Sequence, residues 1–137
     1  IVFLGAGVAT QPARYRTPIE TIKTLGDAIK AGDLEGAEAC YVESTDLGKQ
    51  FAHAYLRSAV TAQRLDMAMQ SHFSAADLKG MRPSLGEQLK ESYSEAKVKE
   101  QIEGDAAWLL RPGQTREQAL CFRRVKGDWK VDVEKRL

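Results

Sequence analysis

Residues 122–133, FRRVKGDWKVDV, place short runs of mixed apolar and polar side chains on both sides of a Gly-Asp pair, strictly alternating from Trp129 to Val133. Glycine accepts a positive φ and aspartate bonds its own backbone, so the stretch predicts two antiparallel strands joined by a tight turn, with Trp129 just past the bend. Trp129, Val131 and Val133 fall on one face, and Lys130 and Asp132 on the other. That is the pattern of a strand with one side on a core and one in water. Upstream, residues 95–125 repeat the device, with apolar or alternating runs separated by Gly-Asp and Pro-Gly. The segment reads as a meander of four antiparallel strands at about 95–103, 106–111, 117–125 and 129–134.

Before the meander the period changes from two to between three and four. TPIETIKTLGDAIKAGD opens with Thr17 as N-cap, Pro18 at the first helical position and Glu20 three residues after the cap, and Ile19, Ile22, Leu25 and Ile29 share one face. Gly32 should end this helix and Asp33 should cap a second through LEGAEACYVE, its buried side marked by Leu34, Ala37 and Tyr41. The third segment is the longest, from about Asp46 to Phe73. Phe51, Tyr55, Ala59, Ala62, Leu65, Met69 and Phe73 recur there at steps of three or four and form the expected buried stripe. No Gly or Pro interrupts Lys49 to Phe73, so the helix is expected to run roughly 40 Å and to cross the whole sheet. Gly80 and Pro83 break the pattern, and Ser84 with Glu87 offers a capping box for a short helix ending near Tyr93. Helices first and an antiparallel sheet second make an α+β fold, with N-terminal helices, one long and central, packed on a curved four-stranded antiparallel sheet.

The bulk numbers narrow the function classes. A chain of 137 residues, 43% hydrophobic and 28% charged, has the size of one soluble domain with a self-sufficient core. Twenty Lys and Arg against nineteen Asp and Glu leave a net charge of +1, so no field draws the protein to nucleic acid, and the pair Arg123-Arg124 reads as a solvated edge. Residues 1–16 read as an apolar leader or tether remnant and linker, ahead of a domain at 17–137. The run IVFLGAGVA is too short to span a bilayer, which takes about twenty residues, and resembles the end of a signal-peptide apolar region with Gly7-Val8-Ala9 as a small-x-small cleavage site. An exported or membrane-tethered protein is the expectation. Cys40 and Cys121 lack metal or redox spacing and read as two buried thiols, a single disulfide being the alternative in an exporting context. No metal site and no cofactor are expected.

The order TPIETIKTLGDAIKAGDLEGAEACY, then a long helix, then strands closing on FRRVKGDWKVDV, resembles the nuclear transport factor 2-like superfamily over about residues 17–134. The resemblance implies a helical layer starting with the "AGD" helix, and a curved sheet ending in a "GDWKV"-type hairpin and wrapping a cone with a pocket. Members include ketosteroid isomerases, polyketide cyclases, dehydratases, transport adaptors and uncharacterised exported domains, which this chain resembles more than the isomerases. Such folds commonly place a short strand between the second and third helices, and STDLGKQF leaves little room for one.

Candidate site residues follow from strand parity and from the aromatics. Ala96, Val98, Glu100 and Ile102 share one face, so Glu100 occupies a position where alternation calls for an apolar residue. A carboxylate lining an apolar cavity has the shifted pKa of a general base, whereas a bulge or sheet edge would return it to water. Tyr41, Tyr55, Trp108 and Trp129 are the candidate ligand-binding residues, since aromatic bodies with polar tips suit small organic ligands, although the same spacing also serves a plain core. His53 and His72 lie about 28 Å apart along the long helix and cannot share a site, and each reads as facing solvent or capping. These features favour a non-catalytic domain that binds a small molecule or a protein partner through its cone pocket or sheet face. The alternative is a pocket enzyme of isomerase or dehydratase type, with Glu100 as base and a tyrosine hydroxyl as partner. In a third reading the outer sheet face pairs two subunits as a homodimer.

Overall fold

The computed structural model of the chain describes residues 14–42, 45–74, 76–77 and 85–133. The apolar run at residues 1–9, the expected cap Ser84 and the expected strand end at residue 134 lie outside these. Within the described residues the order is α1 (Pro18–Lys30), α2 (Leu34–Glu38), α3 (Asp46–His72), α4 (Leu85–Ser92), β1 (Lys99–Glu103), β2 (Ala106–Leu110), β3 (Leu120–Val125) and β4 (Asp128–Val131). The four strands pair antiparallel in sequence order, and the fold is α+β as the two periodicities require.

Thr17 and Asp33 cap their helices as expected, and Thr45 caps the long one. Thr17 Oγ1 accepts from the Glu20 amide at 3.1 Å, Asp33 Oδ1 from the Gly36 amide at 3.0 Å and Thr45 Oγ1 from the Gly48 amide at 3.1 Å. At the far end of α1, Gly32 takes φ 70°, and the Asp33 amide reaches back to the Ala28 carbonyl at 2.8 Å. This closes the helix with the left-handed residue that glycine adopts at no steric cost.

Strand lengths differ from the alternation pattern for local reasons. β1 begins at Lys99 rather than near 95, because the Lys97 and Val98 amides both turn back to the Ser94 carbonyl. β3 begins at Leu120 rather than 117, because Thr115–Ala119 closes a turn on itself and the Gln118 side chain accepts from the Thr115 amide. α2 stops at Glu38 because its exit is taken into the sheet. The Val131 amide donates to the Cys40 carbonyl at 2.7 Å and the Val42 amide to the Val131 carbonyl at 2.8 Å, a one-residue parallel bridge of Tyr41 on Val131. A single bridge is what stands where a short strand had little room.

Register puts Ala107, Phe122 and Val131 in one row, with Leu109, Leu120 and Trp129 on the same face. That face meets α1, whose Ile22, Leu25 and Ile29 are buried with Phe122, Leu109 and Leu56. The helix against the strands is α1 and not the long one. α3 packs on α1 and α2, and the expectation that it crosses the sheet is corrected. Its buried face is corrected in part: Ala59 is buried as expected, but with Ala52, Leu56, Val60 and Gln63, whereas Phe51, Tyr55 and Leu65 are 47%, 45% and 61% exposed. The small residues win because they let the helix come close to α1 and α2, which the aromatic stripe does not. Asp132, expected in water, is 5% exposed and lies 3.8 Å from the Arg123 guanidinium.

Two contacts hold the helices to the sheet and to each other. Thr21, fully buried, donates its hydroxyl to the Trp129 carbonyl at 2.6 Å, while the Trp129 amide donates to the Tyr15 carbonyl at 2.9 Å. The free edge of β4 is thus satisfied by α1 and the residues just before it. α1 and α4 cross at Gly26 and Gly86, where a Cβ on Gly86 would stand 2.6 Å from the Gly26 carbonyl oxygen. The flanking pairs Lys90–Asp27 and Lys30–Glu87 are exposed and contribute little.

Replacing Thr21 by Val leaves a buried carbonyl without its donor and is expected to cost about 1–3 kcal/mol in urea unfolding, with Thr21→Ser recovering most of it. Gly86→Ala tests the crossing. Helix propensity alone predicts a gain of about 1 kcal/mol, but the Gly26 carbonyl predicts a net loss, and a rise in melting temperature would contradict the crossing.

Candidate functional site

The described residue with the strongest case for chemistry is Tyr41. It follows α2, is bridged by its backbone to β4, and its ring forms part of the wall of a cleft of about 340 Å³ lined also by Glu38, Val42, Lys49, Ala52 and His53. Burial pushes the Tyr41 hydroxyl well above the usual tyrosine range, and its neighbours Tyr55 and Cys40 push the same way. Its hydroxyl therefore stays protonated even in alkaline solution. The position is set by the sheet: α2 ends at Glu38, and the chain leaves it directly against the β4 edge.

Across the cleft, His53 Nδ1 meets Glu38 Oε1 in hydrogen-bond contact. A carboxylate only accepts, so Nδ1 carries the hydrogen and a neutral ring keeps its lone pair on Nε2. The pair joins two helices whose residues stand fifteen apart, and no local pattern announces it. Glu38 was not among the sequence candidates and His53 was read as facing solvent. The side chain is indeed 52% exposed, and its partner is what the fold adds. His72, in the last turn of α3, is exposed and distant from it in sequence.

The four aromatic candidates do not converge. Tyr41 and Tyr55 come near each other, as their electrostatic interaction shows. Trp108 and Trp129 lie on opposite faces of the sheet, because Trp108 pairs with Cys121 and Trp129 with Arg124, three residues further along β3. Trp129 is buried in the core, and its ring lies 5.2 Å from the Arg124 guanidinium. Trp108 lies under Arg116, which reaches back from the β2–β3 loop to within 4.2 Å of the ring while bonding Gln101 and Glu103 on β1. Such a stacked guanidinium is a capped edge.

Glu100 is on the core-facing side of β1, opposite Leu109, and is half-buried. It is not among the residues of the Tyr41 cleft. Its carboxylate lies near the start of α1, where the Ile19 amide favours its negative charge, and its Oε1 is buried without a hydrogen-bond partner. Burial nonetheless raises its pKa above the ordinary value, with Glu95 and Glu20 adding to the rise and the Ile19 amide opposing it. Burial likewise pushes the Cys40 thiol up to about 11, so it stays protonated and unreactive at neutral pH. Cys121 is a buried thiol as well. Among the described residues no cluster of His, Cys, Asp or Glu could hold a metal ion, and no helix is long and apolar enough to cross a membrane.

No family model matches this chain, and no curated protein and no solved structure is significantly similar to it.

Because the folded pKa of Glu100 lies above its unfolded value, the unfolded chain ionises first as pH rises past about 4.5, and this residue then subtracts from stability until its folded pKa is passed. Glu100→Gln keeps an acceptor for the Ile19 amide and removes that loss. Its stability relative to the parent is expected to improve between about pH 4 and pH 7 in urea titrations, and a gap that does not change with pH would show that burial does not govern this carboxyl.

Proposed function

We propose that this protein is a non-catalytic binding domain, exported or tethered to a membrane, whose cleft between α2 and α3 takes a small organic ligand with an apolar body and an acidic head. The cleft's composition carries the reading. Tyr41, Val42 and Ala52 offer an apolar floor, and Lys49 and the Glu38–His53 pair stand at its rim. At about 340 Å³ it has the size of the smaller natural ligand sites, and a few fixed polar groups over an apolar floor are what such sites use to orient a ligand. Tyr41, lining the cleft, supplies a hydroxyl donor. The apolar run at residues 1–9, followed by a polar, proline-bearing stretch, supports the export part of the proposal. The likeness in element order to nuclear transport factor 2-like domains supports a pocket-bearing scaffold, though the sheet here is a four-stranded open one.

A binding role is favoured over isomerase chemistry because the carboxylate proposed as base, Glu100, does not line the Tyr41 cleft. Protein-observed amide NMR, titrated with small aromatic and aliphatic carboxylic acids, tests the proposal. Acids that bind should shift the backbone amides of Tyr41, Val42 and His53, and Lys49→Glu, an exposed change, should weaken them about tenfold, or about 1.4 kcal/mol. Hits that shift other regions and ignore Lys49→Glu would place the ligand site elsewhere.

A further inference from the structure

The long helix α3 carries two apolar faces, and the domain covers only one. At about 100° per residue, Leu47, Phe51, Tyr55, Ser58, Ala62, Leu65, Met69 and Phe73 fall within an arc of about 80°, beside the face that holds Ala52, Leu56 and Ala59. None of them carries a charge, and the charged residues Lys49, Arg57, Arg64 and Asp66 all lie off this arc. Leu47 is 64% exposed, Phe51 47%, Tyr55 45%, Leu65 61% and Phe73 54%. Beyond Gln63 no residue of α3 is buried, and its last two and a half turns are held to the domain at their start, where Arg64 donates to the Gly32 carbonyl at 3.1 Å. Isolated turns of that length are marginal in water, and most helical stability comes from packing an amphipathic face.

The spacing along this arc is palindromic. Leu47 and Phe73, Phe51 and Met69, Tyr55 and Leu65, Ser58 and Ala62 are all placed symmetrically about position 60. We propose that α3 pairs antiparallel with α3 of a second copy of this chain about a two-fold axis at position 60, each residue of these pairs facing its counterpart on the partner. An isologous contact requires a patch complementary to itself, and a palindromic stripe on an antiparallel helix pair meets that requirement. Ser58 and Ala62 meet at the crossing, where small side chains let the helices approach to about 8–10 Å, and the large residues close the two ends. The area is adequate. At roughly half of 150–250 Å² for each exposed aromatic and a similar amount for each leucine, the five large residues supply on the order of 500 Å² per chain. The small residues between them bring the total toward the roughly 800 Å² per partner of a stable interface. The surface is distinct from the outer sheet face considered from sequence, and it does not depend on the ligand cleft.

Sedimentation equilibrium at about 100 μM on the full 137-residue chain should give twice the chain mass, and Leu65→Glu should return it to the single-chain mass with an unchanged circular dichroism spectrum, since Leu65 is exposed. Spin labels fix the geometry. Thr61→Cys, near the axis, should give an inter-label distance near the interaxial spacing, and Gln70→Cys a distance about 30 Å along the axis. A monomer at that concentration, a dimer indifferent to Leu65→Glu, or short distances at both positions would each overturn the pairing.

Discussion

The hydroxyl of Thr21 on the carbonyl of Trp129 is the contact on which the arrangement turns. It is buried, spans 108 positions, and joins the first helix to the last strand of the sheet. A carbonyl removed from water without a partner costs more than most side-chain contacts return, so the bond ties α1 to β4 and leaves little freedom in how they meet. With the Trp129 amide held by Tyr15 and the Val131 amide by Cys40, the outer edge of β4 has its hydrogen bonds met by the N-terminal half of the chain. The hairpin that closes the chain is thereby the place where its beginning is anchored.

That anchoring decides what the long helix can do. The sheet's apolar face is occupied by α1, so α3 has no strands to cross and packs instead on α1 and α2. Close approach to two helices selects alanine, glycine and valine over phenylalanine and tyrosine, and the larger apolar residues of the same helix are left facing outward. The glycine contact of α1 with α4 follows the same logic, backbone against backbone where a methyl group would not fit.

The cleft is a by-product of these constraints. Because α2 must end early to feed Tyr41 and Val42 onto β4, a gap opens between its last turn and the first turns of α3, and Glu38 and His53 face each other across it. Tyr41 was legible as an aromatic with a polar tip, while its wall partners were not. Glu38 and His53 belong to different helices and carry no spacing that links them. Glu100 was legible as a misfit in strand parity, and the misfit is real. It lies near the amide of Ile19 at the start of α1, a neighbour that belongs to another element and leaves no mark in the sequence around Glu100.

What the sequence determined by itself were the local matters: the caps Thr17 and Asp33, the helix end at Gly32, the uninterrupted length of α3, and the four-strand meander with its Gly-Asp turns. Each rests on interactions within a few residues, or on a periodicity that records only whether a face is apolar. Which apolar face is covered, and by what, is a different kind of fact. Phe51, Tyr55 and Leu65 satisfy the helical period as well as Ala52, Leu56 and Ala59 do. Only the tertiary structure decided between them, because the choice depends on how closely α1 and α2 approach, and that distance is set by side-chain volumes on three separate segments at once.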